Sequence, residues 1–199
     1  MERRRITTFG AWLVAVGLLA AGAWGCQQHY SPKPRGYFRI DFPEKAYKAI
    51  SGDCPYTFNI PLYAKMEPDR STDAQPCWAD VAIPQFNARI HLSYMPVSGP
   101  ENFNELVEDA RTFAFNHTVK ATAIDQQRIR YPEADVYGLK YEISGNTASN
   151  IQFFVTDSTH HYLRGALYFH EKPRLDSIQP VLDFLKADID TLIGSLRWK

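Results

Sequence analysis

One long apolar run opens the chain, and behind it short stretches alternate between apolar and polar residues, interrupted twice by helical spacing. The run extends from Phe9 to Gly25 without an ionisable residue, follows Arg3, Arg4 and Arg5, and ends at Cys26. Tyr37 to Phe42 then alternates, with Phe38, Ile40 and Phe42 on one side, which predicts a half-buried strand stopped by Pro43. Tyr56, Phe58 and Ile60 repeat the pattern up to Pro61. The polar stretch from Lys65 to Gln75 reads as an exposed loop, and strands follow at Trp78 to Ile83 and Ala88 to Met95. Ser98 and Glu101 have capping-box spacing, and Phe103, Leu106, Val107, Ala110, Phe113, Ala114 and His117 recur at helical spacing after them. Four strands are expected next, near Ile124 to Tyr131, Val136 to Ile143, Ile151 to Thr156 and Tyr162 to Phe169. A last helix is opened by Asp176 or Ser177, with Pro180 in its first turn. Its stripe is Ile178, Val181, Leu182, Leu185, Ile189, Leu192, Ile193 and Leu196.

Short links between strands favour antiparallel hairpins, and the final stripe needs a sheet to bury it. The expected class is α+β: an antiparallel β-sheet with helices packed on its faces, in one domain behind the N-terminal run. The order of strands, helix, four-strand meander and helix looks like the sandwich of PsbP-type and Mog1-type proteins. Fold alone carries no function.

Positive charge ahead of an apolar run is the layout of an export signal. Residues 1–25 read as a lipoprotein signal peptide, 26–36 as a flexible tether with Pro32 and Pro34, and 37–199 as a single globular domain. In the lipoprotein reading Cys26 takes the lipid; Gly25 suits the position before it, whereas Trp24 is bulky there. An uncleaved signal anchor is the second reading, because the run lies at the short end of the roughly 17–25 residues that span a bilayer. A plain secretory signal is the third. Without residues 1–25, 19 basic residues face 21 acidic ones, which leaves no electrostatic footprint for nucleic acid.

Beyond Cys26 the only cysteines are Cys54 and Cys77, most simply a disulfide in an oxidising compartment. Two cysteines with no CxxC or HxxxH companion are a weak metal signal. No nucleophile elbow, phosphate loop, dinucleotide fingerprint or HExxH motif occurs, and no catalytic residue, cofactor or metal is expected. The side chains worth weighing are Asp157, Ser158, His160, His161 and Arg164, with His170 at the far end of the strand. Three triad-type residues within four positions cannot approach one another from different directions, so turn chemistry is the plainer reading of Asp157 and Ser158. The alternative function they offer is ligand binding or hydrolysis in a pocket near His160, His161 and Arg164. His117 is read as a helix-end residue rather than a catalytic one.

Two long runs, QFFVTDSTHHYLRGALYFHEKP from Gln152 to Pro173 and YGLKYEISGNTAS from Tyr137 to Ser149, resemble the gliding-motility-associated lipoprotein D family, GldD, of the Bacteroidetes. Shorter runs agree: YFRIDFPEKAY from Tyr37, CPYTF from Cys54, CW at Cys77 and HLSY from His91. The resemblance extends from about Tyr37 to the last helix. It implies a non-enzymatic accessory or assembly factor of the gliding machinery, linked to type IX secretion, anchored to a membrane and facing the periplasm. The implied partners are other envelope proteins of that machinery, among them an integral cytoplasmic-membrane protein. The family offers no catalytic residue, only a bridge between Cys54 and Cys77. The loops Lys65 to Gln75 and Ser144 to Asn150 are the expected docking sites.

Overall fold

In the computed structural model, which describes residues 39–50, 52–171 and 174–199, the alternating segments between Ala79 and Phe169 all become strands. The signal, the tether, Cys26, Tyr37 and Phe38 lie outside the described residues. In chain order the elements are β1 (Tyr47–Ile50), β2 (Tyr56–Pro61), β3 (Lys65–Pro68), β4 (Ala79–Ile83), β5 (Ala88–Pro96) and α1 (Pro100–Phe115). There follow β6 (Ala121–Tyr131), β7 (Val136–Gly145), β8 (Ser149–Thr156), β9 (His161–Phe169), α2 (Leu175–Ser195) and β10 (Arg197–Trp198). One antiparallel sheet has seven strands in the order β3-β4-β5-β9-β8-β7-β6, and a smaller one has the order β1-β2-β10. This is the expected α+β class, with an antiparallel sheet and helices on its faces.

Period-two alternation sends each strand's apolar set to one of two cores. The larger lies between α2 with the small sheet and one face of the large sheet, and joins Phe58, Ile83, Ile90, Phe153, Leu163 and Leu185. The smaller lies under α1, where Ala110 and Ala114 meet Tyr141, Ile143, Phe154 and Tyr162. Strand β8 sits between both cores and is buried along its whole length. At Gly165 a Cβ would lie 2.2 Å from the Phe153 ring, so the ring occupies the space a side chain would fill.

Five local expectations are corrected. Of the strand expected at Tyr37 to Phe42, the described residues Arg39 to Phe42 are not in a strand: the Phe42 ring stacks on Phe184 of α2 with centroids 4.4 Å apart. The polar stretch from Lys65 begins as strand β3, paired with β4, because Met66 reaches the larger core. Helix α1 starts at Pro100 with Gly99 as its N-cap, one residue beyond Ser98, so the Ser98–Glu101 box is not made; the Asn102 side chain accepts the Ser98 N–H instead, at 3.1 Å. Helix α2 starts at Leu175, which puts Pro180 in its second turn, where the missing N–H leaves one helix bond unmade. Ser144 to Asn150 is not an open loop. Thr147, Ser149 and Asn150 are buried, and the Asn150 amide donates to the carbonyls of Ile143 at 2.8 Å and Gly145 at 3.1 Å.

Candidate functional site

The sequence candidates do not converge. Asp157 Oδ1 accepts the backbone N–H groups of Thr159 at 3.0 Å, His160 at 2.8 Å and His161 at 2.8 Å, which closes the β8–β9 turn. Burial pushes the Asp157 carboxyl up, but these bonds outweigh it and hold the group below the usual carboxylate range. Ser158 takes the left-handed conformation in that turn, with φ 68°. The His160 side chain is 77% exposed and 3.6 Å from Asp157 Oδ2. His161 lies on the small-sheet side: its Nδ1 is 2.9 Å from the Tyr94 hydroxyl, and its ring stacks on Trp198 at 5.1 Å. Arg164, three residues on in the same strand, projects to the opposite face, where its guanidinium lies 4.4 Å from the Phe113 ring. The pocket expected near His160, His161 and Arg164 is therefore not formed, since an odd spacing along a strand separates its members. His170 is exposed at the far end of β9. His117 sits in the turn after α1, and burial together with the charge of Arg164 holds its imidazole below the usual range. Among the described residues, no three His, Cys, Asp or Glu side chains are grouped to hold a metal.

Cys54 and Cys77 form the disulfide, with Cα atoms 5.5 Å apart. It ties the start of β2 to the approach to β4, and the Tyr56 hydroxyl donates to the Cys77 carbonyl at 2.7 Å. A hollow of about 360 Å³ beside the bridge is lined mainly by apolar side chains, among them Ile50, Tyr56, Met66 and Trp78.

A buried carboxylate escaped the sequence reading. Asp188 lies within the apolar stripe of α2 and is 2% exposed. The Tyr47 hydroxyl donates to its Oδ1 at 2.9 Å, the Tyr63 hydroxyl donates to its Oδ2, and Lys45 Nζ lies 2.7 Å from Oδ1. Lys45 Nζ also sits 3.3 Å from the centroid of the Phe184 ring and donates to the Phe184 carbonyl at 2.8 Å. Burial, then the bond to Asp188, pushes the Tyr63 phenol far above its usual range. The one sequence signal was its spacing: Asp188 stands three residues after Leu185 and four before Leu192, in step with the buried stripe.

The second polar group lies on the α1 face of the large sheet, in a row that begins beside the smaller core at Tyr141. Strand register lines up Glu67, Asp80, His91, Ala166, Gln152 and Tyr141 in one row across six strands. Arg89 Nη1 donates to Asp80 Oδ2 at 2.6 Å and lies 3.3 Å from Glu67. His91 Nδ1 is 2.5 Å from Asp80 Oδ1 but out of line for a hydrogen bond, and its ring meets Tyr168 edge-on at 5.2 Å.

These features define an α+β domain whose buried charges are largely matched within the fold. The chain belongs to the gliding motility lipoprotein GldD family, whose model matches residues 27–198. It is thus a gliding motility lipoprotein, anchored to a membrane of the cell envelope. Among the described residues, no helix is long and apolar enough to cross a membrane. The chain is also similar to the solution structure of cyanobacterial PsbP (CyanoP) from Synechocystis sp. PCC 6803, with a TM-score of 0.49 and 9% identity over 81% of this chain and 98% of that one. No curated protein matches it.

Proposed function

We propose that the protein is a non-enzymatic accessory or assembly component of the gliding machinery and of the type IX secretion linked to it. A lipid on Cys26 tethers it, and residues 37–199 face the periplasm. Its partners are other envelope proteins of that machinery, including an integral protein of the cytoplasmic membrane. The observation that carries this reading is the extent of the family match, residues 27–198, which takes in nearly all of the chain behind the signal. The internal bonds of Asp157, Asp188 and Asp80 add support, because each of these carboxylates is engaged in holding structure. Deleting the gene in its host tests the reading: spreading and protein secretion should fail together. A copy with alanine at both His160 and His161 should restore both. Failure of that copy to restore them, with the protein folded and present at normal level, would overturn the non-enzymatic assignment.

A further inference from the structure

The part-buried cations of the large sheet and of α2 are matched to carboxylates. Arg89 has Asp80 and Glu67, Lys140 has Asp190 at 2.6 Å and Glu142 at 3.4 Å, and Lys186 has Glu142 at 2.9 Å. Arg164 is the exception. It is half-buried on β9, and among the described residues no carboxylate lies within ion-pair distance of it. Its Nη2 donates to Gln152 Oε1 at 2.9 Å, the Phe113 ring covers it at 4.4 Å, and His117 is near enough to feel its charge.

Gln152 supplies an independent observation. Its side chain is buried, and the bond from Arg164 fixes which end of the amide faces the guanidinium, since turning the amide over would set two groups of donors against each other. Nε2 then has no partner among the described residues. Native interiors rarely leave such a group unmet. Register brings further polar groups alongside: Ser93 stands directly opposite Arg164, and His91 and Gln152 flank Ala166 from either side. Ala166 itself is buried between them.

We propose that Arg164 and Gln152 form a receptor for a carboxylate group supplied from outside the described chain, with Ser93 and His117 at its rim. One uncompensated guanidinium beside a neutral amide donor suits a planar, singly charged group. A phosphate dianion would need a second free cation, and the neighbouring Arg89 is already paired with Asp80. An acidic side chain of a partner protein and a free small carboxylate present the same chemistry. The site does not depend on the assembly role proposed above.

The test uses the full-length, detergent-extracted protein labelled with ¹⁵N, at constant ionic strength. Sodium acetate is titrated in one arm, and a capped pentapeptide with a single central glutamate in the other; the same peptide with glutamine is the control. The expected result is a saturable shift of the Gln152 side-chain amide and the Arg164 Nε–H signals, with no shift from the glutamine peptide. Saturation by acetate and glutamate peptide at similar concentrations identifies a free carboxylate as sufficient. Saturation by the peptide at a concentration at least about tenfold lower identifies a protein side chain. Gln152→Glu places a carboxylate beside Arg164 from within. It should weaken either probe at least about tenfold, read at the Arg164 signal, while raising the thermal midpoint. Gln152→Met, which keeps the length and removes the donor, serves if Gln152→Glu fails to fold, and the same weakening is expected. No saturable shift with either probe, or unchanged binding in the folded variant, would overturn the proposal.

Discussion

Lys45 Nζ lies 2.7 Å from Asp188 Oδ1, joining the segment ahead of the first strand to the last helix of the chain. The Asp188 side chain is only 1% exposed, so its charge is stable there only because Lys45, Tyr47 and Tyr63 converge on it. Lys45→Ala leaves the buried carboxylate without its counter-charge and should cost about 3–5 kcal/mol. Asp188→Ala removes the buried charge itself, leaving two phenols and a part-exposed ammonium without their acceptor, and should cost less, about 1.5–3 kcal/mol. Urea unfolding of the two variants checks the order; equal losses would contradict it.

The Phe153 ring fills the space above Gly165, where a Cβ would come within 2.2 Å of it. Gly165→Ala should therefore destabilise by about 1–3 kcal/mol through overpacking. Combining it with Phe153→Leu, which opens that space, should cost less than the sum of the two single changes. A double-mutant cycle measures the coupling.

The disulfide closes a loop with a sequence separation of 23 between Cys54 and Cys77. Replacing both cysteines by serine should lower unfolding stability by about 3 kcal/mol, the entropy regained by the unfolded chain over a loop of that size. Wild-type protein treated with a reductant should fall to the level of the variant.

Asp157 has its carboxyl pKa depressed by the turn it caps, and Glu142 is lowered too, where burial pushes it up but the bonds and charges of Lys186 and Lys140 together outweigh that. A depressed carboxylate contributes stability that is fully present above the unfolded value, about 3.9 for Asp. That stability is lost as the pH falls through the lower folded value. Stability should hold from neutral pH down to about 4–5 and fall below it. Asp157→Asn should be less stable than wild type at neutral pH and lose less on acidification, which unfolding curves across the acid range would record.

The parts of the fold that can be read from the sequence are those where local period and tertiary burial agree. β5 alternates as Ala88, Ile90 and Leu92 against Arg89, His91 and Ser93, and its apolar set is the buried one. The stripe of α2 is legible for the same reason. β1 and β3 are not, because four residues such as Lys65–Pro68 carry little pattern and become a strand only by pairing with Ala79–Ala82. Asp188 is hidden from local reading since Tyr63 and Tyr47 lie 125 and 141 residues away in the chain. The separation of His161 from Arg164 is legible, as their odd spacing on one strand already assigns them to opposite faces. The uncompensated charge of Arg164 is not, because it emerges only when the other cations have found their carboxylates in three dimensions.

The role proposed for this lipoprotein is to hold other envelope proteins. The direct measurement is a pull-down of tagged protein from extracted membranes of its host, with mass spectrometry of the co-purifying proteins and of the bait's N-terminal peptide. Gliding and type IX secretion components are expected, together with a bait that begins at lipid-modified Cys26. A bait that comes down alone and still carries residues 1–25 would contradict it.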